Sequence, residues 1–197
     1  MPKLVDPQER RRELAEAVWR VIRRDGLEHA SVRNVAREAD LSMGSLRHYF
    51  GSQNELLTFA LRMVMDRIET RISALPPIPD PRERAARVLA ELLPLDAERR
   101  AENEVWLAFT AKSMVDPELG ALRDEGWAAL RSGCGALVDA LLPARATRAS
   151  RELETDRLHA LVDGLAVHAA TRPSHVTAAR MRAVIAAHVD ALASTRP

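Results

Sequence analysis

Apolar residues recur along this chain at spacings of three and four, and they do not alternate with polar ones over the length of a strand. That periodicity predicts helices throughout and no sheet. The first helix opens at Asp6-Pro7-Gln8-Glu9, where a carboxylate can cap, a proline presets φ at the first helical position and a glutamate follows. Leu14, Val18, Val21 and Ile22 form its apolar stripe, and Asp25-Gly26 ends it. Two short helices are expected over residues 31–39 and 42–49, each starting at a serine that can accept from an orphan N–H. Only Asp40-Leu41 separate them. Ser52-Gln53-Asn54-Glu55 is a further capping box. The helix it opens runs to about Ala74 with Leu57, Ala60, Leu61, Val64, Ile68 and Ile72 on one face, a reach of roughly 30 Å.

The run Pro76-Pro77-Ile78-Pro79-Asp80-Pro81 cannot continue a helix, because successive prolines remove donors and push their predecessors out of the α region. It reads as a hinge or corner. Helices are then expected from Asp80-Pro81 to about Leu93, from Asp96 to about Met114, and from Asp116-Pro117 to about Leu142. Residues 143–150 read as a loop, and two last helices cover 151–170 and 177–194, which makes about nine in all. No fixed-period repeat supports a solenoid.

With 47% hydrophobic and 29% charged residues in a chain of 197, global disorder is excluded and a real core is expected. Cys134 stands alone, so no internal disulfide forms, and the N-terminus has no apolar leader segment. A cytoplasmic protein is expected. No apolar run approaches the roughly 18 residues of a spanning helix, which argues against the membrane. A net charge of +1 excludes a broadly basic coat but leaves room for a local DNA-binding surface.

The segment from Glu28 to Leu57 is the informative one, because two short helices joined by a tight turn cannot bury a core alone and suit a helix-turn-helix. Val35, Ala36, Ala39, Leu41, Leu46 and Phe50 are its expected buried set. What remains on the second helix is small or donor-bearing: Ser42, Met43, Gly44, Ser45, Arg47, His48 and Tyr49. Arginine matches guanine O6 and N7, hydroxyls reach phosphates, and a glycine lets a helix sit deep in the groove. An ordinary helical hairpin with a solvated polar face carries the same spacing.

Ser31-Val32-Arg33-Asn34-Val35-Ala36, the run from Ser42 to Phe50, and Ser52 with Glu55-Leu56-Leu57 together resemble the TetR family of bacterial transcriptional regulators. The stretches EVWLAFTAKSMVDPEL and LHALVDGLAVHAA resemble its BetI-type subgroup. The resemblance implies an all-α fold: an N-terminal three-helix bundle with the helix-turn-helix over residues 1–52, then a larger helical domain for effector binding and dimerisation over 53–197. It implies a repressor that leaves double-stranded operator DNA when a small molecule binds. Ser31, Ser42, Ser45 and Tyr49 would hold phosphates, while Arg33, Met43, Gly44, Arg47 and His48 would face the bases. Two positions depart from the pattern. Asp40 stands where the family usually has glycine, and aspartate visits the left-handed region more readily than most residues. Gln53 stands where a lysine is common, so a neutral donor to phosphate replaces a charged one and a shallower salt dependence is expected.

One helix-turn-helix reads few base pairs, so a two-fold homodimer on a palindrome is expected. Its interface is assigned to the last two helices, at Leu158, Val162, Leu165 and Ala166 and at Met181, Val184, Ile185 and Val189, unless these stripes pack internally. Trp106, Phe109, Thr110 and Ser113 share one helix face, and Trp127, Leu130, Arg131 and Cys134 share another. With few aromatics elsewhere, these faces are read as an effector pocket, with plain core packing as the alternative. Tryptophan rings near Glu102, Asp124 or Asp163 suit a cationic or aromatic ligand. Met63 and Arg67, on the far half of the long helix, border that pocket in this reading, which makes the helix a lever between ligand and DNA.

Catalytic chemistry finds little support. His159 and Asp163 at i, i+4, with His168 near, form no metal-binding motif, and Cys134, which would need a neighbouring base to act as a nucleophile, stands in an apolar helical context that reads as inert packing. No Gly-rich phosphate loop appears. No cofactor and no metal are expected; the alternatives to a regulator are a helical ligand-binding or interaction module without DNA binding and a small helical enzyme.

Overall fold

The computed structural model describes residues 7–194. The expected N-cap Asp6, and the first six residues of the segment read as free of an apolar leader, lie outside the described residues. Among the described residues there are nine α-helices and no strand: α1 (Pro7–Asp25), α2 (Val32–Glu38), α3 (Met43–Arg47), α4 (Gln53–Ser73), α5 (Pro81–Leu92), α6 (Ala97–Ser113), α7 (Gly120–Leu141), α8 (Arg148–Thr171) and α9 (Ala178–Ala193). No described helix is long and apolar enough to cross a membrane.

Side-chain caps set most of the starts. Ser31, Ser42, Ser52, Asp80, Asp96 and Thr177 each accept from a backbone N–H in the first turn of the helix that follows. Three boundaries differ from expectation for local reasons. Thr147 accepts from the Ser150 amide at 3.1 Å and starts α8 within the segment read as a loop. Asp116 caps a separate 3-10 turn, Pro117–Leu119, before α7 begins. α3 spans only Met43–Arg47, with His48 as its C-cap and Tyr49 in the following turn. The box at α4 is also displaced: Ser52 accepts from the Glu55 amide, but the Glu55 carboxylate accepts from Gly51 N at 2.8 Å, one residue before the cap.

Asp40 has φ 52°, the left-handed conformation expected of the turn between α2 and α3. Asp40→Gly is expected to melt at the wild-type temperature or slightly above it. A β-branched residue there meets its own backbone, so Asp40→Val should lose about 1–2 kcal/mol in a thermal or denaturant melt.

Two apolar cores result. The first joins Leu14, Val18 and Ile22 of α1, Val35, Leu46, and Leu56 and Leu61 of α4 to Val105 and Phe109 of α6. The second gathers Leu89, Val138, Leu158, Met181 and Ile185 from α5, α7, α8 and α9. This second core corrects the expected dimer interface. Leu158, Val162, Leu165 and Ala166 of α8 are buried in the protomer itself, as are Met181, Ile185 and Val189 of α9, while Val184 is partly buried against the same core. The most apolar stripe of each helix was needed to close the chain's own core, because α8 packs on α7 and α9 on α5.

Candidate DNA-binding face and ligand cavity

α2 and α3 are held from beneath. Glu38 at the end of α2 accepts from Arg20 Nε and Arg24 Nη1 of α1, both at 2.8 Å, and these bonds keep its carboxyl below the usual range. Leu46 is the one buried residue of α3, and Phe50 just beyond packs edge-on against Phe59 of α4 with ring centroids 5.0 Å apart. The rest of α3 and its flanks faces outward: Ser42, Met43, Gly44, Ser45, Arg47, His48 and Tyr49 are exposed. Among the described residues neither Arg47 nor the exposed Arg33 of α2 has an ion-pair partner, so both guanidinium groups stay free. A Cβ built on Gly44 would meet only Ser42 Oγ at 3.8 Å, so an approaching surface can come close to the backbone.

The hydroxyls assigned to phosphates also serve as caps. Ser42 Oγ accepts from Ser45 N at 3.0 Å and lies 2.9 Å from Ser45 Oγ, and the half-buried Ser31 accepts from Asn34 N at 3.2 Å. Gln53 corrects its expectation. Its Nε2 donates to the Ala30 carbonyl at 3.0 Å, tying the start of α4 to the segment before α2. An amide so engaged holds the helix-turn-helix together instead of reaching outward, since the Ala30 carbonyl needs a donor.

A cavity of about 440 Å³ lies among α4, α5, α6, α7 and α8. Leu61, Val64 and Ile68 of α4, Leu130 and Leu137 of α7 and Val162 of α8 give it apolar walls. Of the residues expected to form an effector pocket, Trp106 and Leu130 line it, as do Glu102 and Asp163 of the carboxylates named beside it, while Met63, Arg67, Phe109, Thr110, Ser113, Trp127, Arg131 and Cys134 do not. Phe109 is 0% exposed within the first core. Ser113 is buried and donates to the Thr110 carbonyl at 2.9 Å. Met63 packs against the first core, and Arg67 turns toward α1 and α6. Trp127 lies on the outside, 53% exposed, its ring 5.6 Å from that of His159 and beneath Arg131, which pairs with Asp156 at 2.9 Å. Asp124 is solvent-exposed and paired with Arg123. Cys134 sits in the second core, where burial, reinforced by nearby Asp163, pushes its thiol up to about 11.

The reason is rotational. On α6 the strongly apolar row through Val105 and Phe109 is spent on the core, and the mixed row Arg99, Asn103 and Trp106 faces the cavity. On α7 the cavity row runs through Gly126, Leu130, Gly133 and Leu137, so Trp127, one residue past Gly126, is turned by about 100° away from it. A Cβ on Gly126 would lie 3.4 Å from the Trp106 ring, in van der Waals contact, so the ring stands directly against α7 at this position. Asn103 closes the far side by donating to the Ala166 carbonyl at 2.9 Å.

Three carboxylates line the cavity and differ in partners. Glu102, 4% exposed, is neutralised by Arg71 in a two-point pairing at 2.7 Å. Asp163 has no arginine: its neighbour is His159 Nε2 at 3.4 Å, and burial pushes its carboxyl up while the histidine opposes this. Glu69, at the exposed edge, has no ion-pair partner among the described residues. His159 and Asp163 do not gain a third ligand. Among the described residues no three His, Cys, Asp or Glu side chains converge on a possible metal position.

Comparison with known proteins agrees with this architecture. A profile described as "Bacterial regulatory proteins, tetR family" matches residues 14–58, and one described as "BetI-type transcriptional repressor, C-terminal" matches 81–194. The HTH-type transcriptional regulator PksA of Bacillus subtilis (strain 168) is 41% identical, over 98% of this chain and 94% of its own length. The HTH-type transcriptional regulator BetI of Vibrio parahaemolyticus is 29% identical over 96% of this chain and 95% of its own. A solved transcriptional regulator from Rhodococcus superposes with a TM-score of 0.79 at 29% identity, covering 95% of this chain and 99% of that one. Its relatives are regulators and not enzymes, and the chain belongs to the TetR family of bacterial transcriptional regulators, with a BetI-type C-terminal domain behind its helix-turn-helix.

Proposed function

We propose that this protein is a cytoplasmic, homodimeric repressor that binds a palindromic operator through α3 and releases it when a small molecule enters the cavity of the C-terminal domain. Residues 1–52 serve as the DNA-binding unit and 53–197 as the effector and dimerisation unit. The observation that carries the reading is the face of α3: a helix anchored by one leucine, bearing an unpaired arginine, hydroxyls and a glycine, has the composition that major-groove readout uses. Arg47 and Arg33 then contact bases, with Met43, Gly44 and His48 beside them, and Ser31, Ser42, Ser45 and Tyr49 contact phosphates.

The two protomers meet through stripes that the core leaves free. Leu153, Arg157, Ala160, Gly164 and Val167 fall along one side of α8, and Leu153 and Val167 are 59% and 42% exposed. Ala183 and Ala187 stand exposed on α9. Small side chains there permit close helix approach in a four-helix interface.

The effector is a largely apolar molecule with one cationic centre. Apolar walls supply most of its burial, and Asp163 and Glu69, which no arginine neutralises, receive the charge. Gly133 lines the cavity and a Cβ there meets nothing within 4 Å. Gly133→Leu is expected to fold as wild type, bind DNA as wild type and lose response to any releasing compound by at least about tenfold. The test of the whole reading is selection of bound duplexes from a random pool, followed by a screen of lipophilic cations and of neutral and anionic controls for release. Recovery of an inverted repeat that a lipophilic cation displaces is expected; failure to enrich any duplex overturns the reading.

A further inference from the structure

The cavity and the DNA-binding unit share a salt-linked network that the reading above does not use. Arg67 and Arg71 lie one turn apart on α4, and both turn to Glu102 of α6, a wall of the cavity. Arg71 holds Glu102 by two bonds of 2.7 Å and also donates Nε to Glu91 of α5 at 2.9 Å. Arg67 has the weaker claim. Its Nε is buried and lies 3.5 Å from Glu102 without a hydrogen bond, and its other end is bound to Glu98. The same guanidinium stacks on the ring of Trp19 in α1, 4.5 Å from the centroid, and Trp19 is itself almost fully buried. Trp19 shares α1 with Val18 and Ile22, which belong to the core that also holds Val35 and Leu46.

Resting on the proposed function, we infer that Arg67 is the positioning residue through which the cavity governs the DNA-binding unit, by a chain running from Glu102 through Arg67 to Trp19. A hydrogen-bond-donating group of the effector beside Glu102, apart from the cationic centre held by Asp163 and Glu69, competes with Arg67 before Arg71, because the Arg67 contact is longer and unaligned. Arg67 then follows Glu98 alone and leaves the Trp19 ring. α1 loses its fixed seat against α4 and α6, and the separation of the two α3 helices in the dimer is no longer held at the value the operator requires. Ligand affinity and DNA affinity oppose each other through this one side chain.

The first arm of the test needs neither ligand nor operator. Protein labelled with 5-fluorotryptophan has three fluorine signals, for Trp19, Trp106 and Trp127, assignable by single Trp→Phe changes. Glu102→Gln is expected to move the Trp19 signal and leave that of Trp127 in place. In an Arg67→Met background Glu102→Gln should no longer move Trp19, although Trp106 still responds. A Trp19 signal that ignores Glu102→Gln, or responds equally without Arg67, overturns the inference. Should Glu102→Gln fail to fold, Glu102→Asp makes the same comparison with the carboxylate withdrawn. On a selected duplex, Glu102→Gln and Arg67→Met should each weaken binding about fivefold, and the double variant no more than the worse single one. Additive losses overturn the inference. Enrichment of no duplex overturns the proposed function and leaves the fluorine result standing by itself.

Discussion

Phe109→Ala is expected to lower the unfolding free energy by about 3–5 kcal/mol, the range for removing a fully buried aromatic ring whose space cannot collapse. Phe109 is among the largest side chains with no exposure, and it lies where α6 meets the core of the DNA-binding unit. Denaturant melts measure the loss, with an unchanged slope against denaturant showing that the same surface is exposed on unfolding. A ring lining the effector cavity would behave otherwise. Its removal would enlarge the pocket, cost little stability and alter ligand affinity, and that outcome would show that the core has been misassigned.

Leu46→Ala carries the second large effect. α3 is five residues long, far too short to persist by itself. Its inward anchor is Leu46, aided by Phe50 after its end. Loss of the isobutyl group should cost roughly 2–5 kcal/mol. Because DNA binding counts only molecules with α3 seated, operator affinity should fall on the order of tenfold or more. Thermal melts and titration of a selected duplex below the melting point separate the two losses. An unchanged affinity would mean that α3 is not the element meeting DNA.

Helix number and kind were legible in the sequence because apolar spacing and capping residues agreed at nearly every start, as at Ser31, Ser42, Asp80 and Asp96. At α8 the cap is the better guide, since Thr147 opens it before its apolar stripe begins, but at α7 it misleads, because Asp116 caps a separate 3-10 turn. The outward face of α3 was legible too, since a helix with one leucine has little choice about which side it buries. The cavity was not. Periodicity identifies a stripe but not its partner, and the most apolar stripes of α6, α8 and α9 went to the protomer's own cores. What faces the cavity is the mixed stripe beside each, marked by Gly126 against Trp106 and by Asp163 without an arginine. The bond from Gln53 to the Ala30 carbonyl was equally hidden, because it joins residues far apart in sequence.

The measurement that bears most directly on α3 as the reader of DNA uses a selected duplex in which each guanine is replaced in turn by 7-deazaguanine, which lacks the N7 acceptor. Wild type is expected to lose roughly tenfold in affinity at one guanine per half-site, the scale of one arginine–guanine contact. Arg47→Ala should bind the unmodified duplex that much more weakly and be indifferent to the replacement at those two positions. If Arg47→Ala binds as wild type does and keeps the same sensitivity to every replacement, α3 does not read the operator.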